Sequence, residues 1–315
     1  MLSNGSSDLI ARLNARGAKT VALQFPEGLK RRSVRIATDL KEAGFDVIIS
    51  GDPCYGACDL ALDTIPPADV LVHFGHAPVD ERENVLYEQV PMDFDVAALD
   101  AARPLIRGRK VGIVTTVQHA HLVSSVVDHL RNSGIDAVVS KGSGRTPYPG
   151  QVLGCNFSAA RISGADTILY IGTGLFHALG VALATHTKVI ALDPYTGLVQ
   201  EANPEPLLRK RFTLIEKARR AGSIGILVST KTGQNRLDLA RRLASLSYRA
   251  FLVTMREISP GELLNLGFGC YVNTACPRLA YDDQARFPVP VLSPPEFEIA
   301  MGRRSWDDYI VDEIV

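Results

Sequence analysis

The chain has 315 residues, 46% of them hydrophobic and 22% charged, which excludes an intrinsically disordered polymer and leaves room for two or three compact domains. Lysine plus arginine and aspartate plus glutamate number 34 each, so no net field would hold the chain on a phosphate backbone or an anionic lipid surface, and neither nucleic acid nor membrane is an expected partner. No stretch reaches the about 20 apolar residues of a membrane span, the opening MLSNGSSDLIARLNARG lacks a secretory pattern, and five cysteines are too few to staple so long a chain, so a reducing cytoplasm is expected.

Along the chain, short β-branched apolar runs alternate with amphipathic stretches of helical length, the pattern of a parallel α/β fold. TVALQF (20–25) is followed by a helical LKRRSVRIATDLKEAG and then by DVIISG. KVGIVTT (110–116) repeats the sequence of events with helix QHAHLVSSVVDHLRNSG and strand DAVVS, and continues through DTILYIG and KVIALD. SIGILVST (223–230) begins a third round with helix QNRLDLARRLASLS, strand AFLVTM and later CYVNTA. Three such units predict a triplicated, Rossmann-like fold of three similar parallel-sheet βαβ domains. The expected bounds are 1–105, 106–204 and 205–315, carrying Cys58, Cys155 and Cys276 in turn. Linker composition marks DAARPLIRGR (100–109) and DPYTGLVQEANPEP (193–206). The basic helix PLLRKRFTLIEKARRAG reads as a solvated face or as a docking surface for an acidic partner, the two ends of the chain read as peripheral, and the tail WDDYIVDEIV as a cap on a domain or a dimer contact.

Each of Cys58, Cys155 and Cys276 falls in a loop or helix start beyond a later strand of its unit, at an offset that lengthens from unit to unit. In parallel α/β units ligands collect beyond the carboxyl ends of strands, so three units facing a centre can each present one thiolate. Cys54-x-x-x-Cys58 and Cys270-x5-Cys276 are not the paired knuckles of a structural zinc site, and no compact histidine pair accompanies them. The local run C-x-x-x-C-x-x-C is also missing, because DLA follows Cys58. A shared metal site therefore has to be assembled from distant segments, and plain burial remains the competing explanation for any single cysteine. His73, His76, His119 and His121 are dispersed on strand ends and a helix start, where packing or capping stands against a histidine metal cluster. No Walker A loop, Ser-His-Asp elbow or paired-carboxylate motif is present.

GDPCYGACDLA (51–61), GQVLGCNFSAAR (150–161) and VNTACPRLAYDD (272–283) resemble the three cysteine motifs of the diphthamide synthase radical enzymes, the 2-(3-amino-3-carboxypropyl)histidine synthases. FPEGLKR (25–31) and VHFGHAP (72–78) are similar to that family's first domain. The resemblance implies that Cys58, Cys155 and Cys276 hold a 4Fe-4S cluster with one open iron, while Cys54 and Cys270 stay structural. It implies cleavage of S-adenosylmethionine at the γ-carbon of its methionine part and transfer of the 3-amino-3-carboxypropyl group to a histidine imidazole carbon of translation elongation factor 2. It also implies the archaeal homodimeric type, served by an electron donor of unknown identity.

Such a site needs groups that hold the amino-acid carboxylate of S-adenosylmethionine. Two strand-to-helix turns qualify, IGTGLFH with Gly174 and His177, and STKTGQNR with Gly233 and Gln234. Arg278, two residues past Cys276, is the expected guanidinium clamp. Two other readings stand beside this one: a quinolinate synthase-like 4Fe-4S dehydratase, and a non-catalytic, electron-delivering or supporting iron-sulfur subunit.

Overall fold

A computed structural model describes residues 5–314. One compact unit ends at Met92 and a second begins at Asp93.

In the first unit, α1 (Gly5–Ala15) leads into β1 (Thr20–Gln24), α2 (Ser33–Glu42), β2 (Asp46–Ile49), β3 (Val70–Phe74) and β4 (Val85–Glu88). The strands form one parallel sheet in the order β2-β1-β3-β4. Successive strand side chains point to opposite faces, so Val21 and Leu23 pack with Ile36 and Leu40 of α2, while Ala22 and Leu71 pack with Leu60 and Val85. Leu9 and Leu13 of α1 enter the first of these cores, so this end of the chain is not peripheral.

The second unit holds two sheets. β5 (Lys110–Thr115), α3 (Val123–Asn132), β6 (Asp136–Val138), β7 (Thr167–Ile171), α4 (Phe176–Thr185), β8 (Lys188–Leu192) and β9 (Val199–Glu201) build a sheet of order β6-β5-β7-β8-β9. Then α5 (Glu205–Arg219), β10 (Ile224–Ser229), α6 (Leu237–Ala244), β11 (Ala250–Met255), α7 (Pro260–Leu266), β12 (Cys270–Asn273), α8 (Arg278–Tyr281), β13 (Val291–Leu292) and α9 (Pro294–Ala300) build one of order β11-β10-β12-β13. The core strand order, second-first-third-fourth, is thus the same in all three sheets, which is the predicted triplicated α/β fold.

Three local differences from expectation have physical causes. Residues 96–105 are not linker: they form a 3-10 helix whose Leu99 and Ala102 are buried with Ile113, Leu169 and Ile190, in the core of the sheet beginning at β5. Within 193–206, the Asp193 carboxylate accepts from the Tyr195 and Thr196 backbone N–H groups, turning the chain so that β9 pairs antiparallel with β8. On α5 the basic run is not wholly solvated, because Arg211 is 1% exposed and forms a two-pronged pair with fully buried Glu296 at 2.7 and 2.5 Å. Arg211 also donates to the carbonyls of Ala280 and Val291, so every prong of its guanidinium is used.

Candidate active site

All three predicted ligand cysteines lie in loops at the carboxyl edge of a parallel sheet and are half-buried. Cys58 follows β2 and Cys155 follows β6, each the second strand of its sheet in chain order, whereas Cys276 follows β12, the third. That extra strand lengthens the third offset in the sequence.

Each loop is shaped by polar contacts that the sequence does not advertise. In the first unit Gln24, the last residue of β1, donates to the Asp59 carbonyl at 2.7 Å and accepts from the Ala61 N–H at 3.1 Å, clasping the segment that carries Cys58. In the second unit, Leu153 and Asn156 exchange backbone bonds at 2.9 and 3.2 Å, which puts Gly154 and Cys155 at the tip of a tight turn. Around Cys276 the Asn273 side chain accepts from the Ala275 N–H at 3.0 Å and donates to the Cys276 carbonyl at 2.8 Å.

The segment 311–314 ties the last two loops together. Ile314 N–H donates to the Cys155 carbonyl at 2.7 Å, and Glu313 accepts from the Phe157 N–H at 2.7 Å and pairs with Arg161. Asp312 receives Arg236 in a two-pronged pair at 2.8 and 2.6 Å, and the same guanidinium donates to the Thr274 and Ala275 carbonyls at 2.7 and 3.2 Å. One strap of chain therefore fastens the Cys155 turn and the Cys276 loop. Of the two readings of the tail, this part of it docks within the chain's own second unit.

Beside these loops lies a cavity of about 520 Å³, lined by Gly154, Gly174, Phe176, His177, Arg278 and Asp282 among others. Gly174 has φ +73°, a backbone conformation that glycine adopts without strain. Gly154 is required by contact instead, since a Cβ there would come within 2.5 Å of the Phe176 ring. Arg278 lies over that ring at 4.7 Å from its centre and pairs with Asp282 at 2.5 Å. His177 stacks on Tyr170, and burial, with Arg278 adding to it, pushes its pKa down to about 4, so the ring is neutral at pH 7.

Of the predicted substrate contacts, the fold brings Gly174, His177 and Arg278 onto one cavity. Gly233 and Gln234 do not line it. They sit in the 3-10 turn after β10, where the Gly233 carbonyl accepts from Arg145 at 3.0 Å. Arg236, Asp312, Asn156 and Asn273 went unnoticed in the sequence. The signals were the N of GCNFS and of VNTAC, the R in STKTGQNR and the acidic pair in the tail, and charged residues in loops usually face solvent. Histidines 73 and 76 do form a compact pair, at 3.0 Å between rings, while His121 pairs with Asp93 and His119 packs against Phe94 and Tyr195.

The donor chemistry fits an iron-sulfur cluster. Cysteine thiolates are its usual ligands, and half-burial gives the cluster both shelter and access. Cys54 and Cys270 differ, because burial pushes both thiols up to about 12 and keeps them protonated unless a cation is bound.

The sequence profile of the family described as "Putative diphthamide synthesis protein" matches residues 25–311. A 2-(3-amino-3-carboxypropyl)histidine synthase of Pyrococcus horikoshii is 38% identical over 98% of this chain and 93% of its own length. Subunit 1 of the corresponding enzyme of Caenorhabditis elegans is 31% identical over 94% of this chain and 79% of its own. The crystal structure of Dph2 from Pyrococcus horikoshii with a 4Fe-4S cluster superposes with a TM-score of 0.93 at 37% identity, covering 98% of this chain and 93% of that one. With the family profile matching residues 25–311 and the Pyrococcus relative aligned over most of both chains, the chain belongs to the diphthamide synthesis protein family.

Proposed function

We propose that this chain is a 2-(3-amino-3-carboxypropyl)histidine synthase, which moves the 3-amino-3-carboxypropyl group of S-adenosylmethionine to a histidine imidazole carbon of translation elongation factor 2. The observation that carries the reading is the 38% identity to the Pyrococcus synthase across both chains, taken with the three half-buried cysteines at sheet edges. Cys58, Cys155 and Cys276 would hold the 4Fe-4S cluster, one from each of three α/β domains. The bound cluster supplies the electron that breaks the sulfur to γ-carbon bond, through an iron that three thiolates leave open.

The chain's own residues have separable tasks. Asn273, Asn156 and the 311–314 strap fix where Cys155 and Cys276 stand before any ligand arrives, the preorganisation a cluster site needs. Arg278, steadied by Asp282 below it and Phe176 behind it, is set to take the amino-acid carboxylate as a fork. His177, neutral at pH 7, offers one N–H and one lone pair to the ligand without adding charge. Phe157, Phe176, Leu179 and Leu183 make an apolar wall that keeps water from the reacting carbon.

Among the described residues no helix is long and apolar enough to cross a membrane, which suits a cytoplasmic enzyme. A homodimer and an external electron donor complete the proposal. The test is reductive cleavage of S-adenosylmethionine by anaerobically reconstituted protein containing about four irons per chain. Methylthioadenosine is the expected product; deoxyadenosine as the main product, or no cleavage, would refute the reading.

A further inference from the structure

His73 is the next-to-last residue of β3 and His76 lies in the turn after it, and their rings meet with Nε2 of His73 3.0 Å from Nδ1 of His76. Cys54, 2% exposed, completes the group: its sulfur and one nitrogen of each histidine all lie within 4.8 Å of one another. Zinc bonds of about 2.0–2.1 Å to nitrogen and 2.3 Å to sulfur put tetrahedral ligand atoms about 3.3–3.6 Å apart. Side-chain adjustments on the order of 1 Å would therefore seat an ion among the three.

The surroundings fix the chemistry of His73. Because the amide of Gln24 donates to the Asp59 carbonyl and accepts from the Ala61 N–H, its Oε1 is held as an acceptor. That oxygen is 2.8 Å from Nδ1 of His73, so Nδ1 carries the proton and Nε2 presents a lone pair toward His76 and Cys54. An oriented imidazole whose far nitrogen is bonded to a fixed acceptor is the arrangement that metal-binding histidines adopt. His76 is half-buried, which gives an ion a route in.

We propose that Cys54, His73 and His76 form a mononuclear site for a tetrahedral divalent cation, zinc by the character of its ligands, with a fourth position for water. The set shares no residue with the cluster cysteines. On binding, the Cys54 thiol becomes a thiolate and releases one proton, and the proton on Nδ1 of His76 moves to Nε2 with no net release. The buried carboxylate of Asp59, close enough to act on Cys54 electrostatically, offsets the remaining positive charge.

The test uses the full chain with Cys58, Cys155 and Cys276 replaced by alanine, titrated anaerobically with Co²⁺. One ion per chain is expected, with the visible bands of tetrahedral cobalt, a near-ultraviolet thiolate-to-cobalt transition and release of about one proton. Adding Cys54→Ala should abolish the thiolate transition, and His76→Gln should weaken binding about tenfold or more. Gln24→Ala should weaken it about 10- to 100-fold with the thiolate band retained. If the triple variant does not fold, the iron-loaded wild type serves: it should take up one zinc beyond its iron, and Cys54→Ala should lose that zinc and keep the iron. Cobalt bound without a thiolate band, binding unchanged by Cys54→Ala, or no zinc beyond iron in the loaded wild type would each overturn the proposal.

Discussion

Replacing Asp312 by asparagine asks whether the strap holds the two cysteine loops. The Arg236 and Asp312 side chains are 13% and 6% exposed, so the variant leaves a largely desolvated guanidinium without its counter-charge. Removing one partner of a buried pair costs about 3–5 kcal/mol. Arg236 keeps the Thr274 and Ala275 carbonyls as acceptors, which favours the lower end, about 3 kcal/mol. For a chain of this size that corresponds to a fall in melting temperature of about 6–12 °C. The second readout is iron release to a chelator, expected to be about tenfold faster, because the loops of Cys155 and Cys276 are no longer tied to one segment. The double variant Arg236→Met with Asp312→Leu separates stability from positioning. Apolar replacement of both partners should restore most of the melting temperature, but the two carbonyls would then lose their donor and iron would still leave quickly. Melting and iron retention both at wild-type level in Asp312→Asn, or both repaired in the double variant, would refute the reasoning.

Four other outcomes are expected. Cys58→Ala, Cys155→Ala and Cys276→Ala should each lose the cluster absorbance and most iron, whereas Cys54→Ala should keep both, as read by iron analysis of anaerobic preparations. Gly180→Ala would set a Cβ 2.1 Å from the Phe157 ring and should cost about 1–3 kcal/mol in urea unfolding, relieved when Phe157 is trimmed to leucine. Arg211→Met strands the fully buried Glu296 carboxylate and should destabilise by about 3–5 kcal/mol, while Arg211→Met with Glu296→Leu should recover much of the loss. His177 has a folded pKa below its unfolded value near 6.5, so its contribution is fully present above pH 6.5 and is lost as pH falls toward 4. After solvent screening of this half-buried ring, moving from pH 7.5 to pH 5 should cost the wild type about 1 kcal/mol more than His177→Phe, compared by urea melts at both values.

The central strands were readable because an apolar, β-branched run such as TILYI has few other solutions, and their repetition in three rounds revealed three sheets. The cysteine motifs were readable as motifs. What escaped was set by partners distant in sequence. Arg236 meets Asp312 across 76 residues and Arg211 meets Glu296 across 85, and nothing local distinguishes those arginines from their solvated neighbours. Gly233 and Gln234 satisfy the same turn grammar as Gly174 and His177, yet only the latter turn opens on the cavity, since grammar specifies a turn and not what packs over it. Histidines 73 and 76 read as dispersed in the sequence because Gln24, the residue that orients one of them, lies 49 residues away on another strand.

The position of the strap in the chain gives it a meaning during synthesis. Residues 311–314 lie downstream of every element they fasten. As the chain leaves the ribosome, both sheets of the second unit can form, with Cys155 and Cys276 already displayed, before the segment that sets their spacing exists. Docking of the strap is therefore a late event, and only then are the two loops tied to one segment. Iron and sulfide delivered earlier would meet loops without a fixed separation. A chain interrupted before residue 311 would display both loops without the segment that ties them.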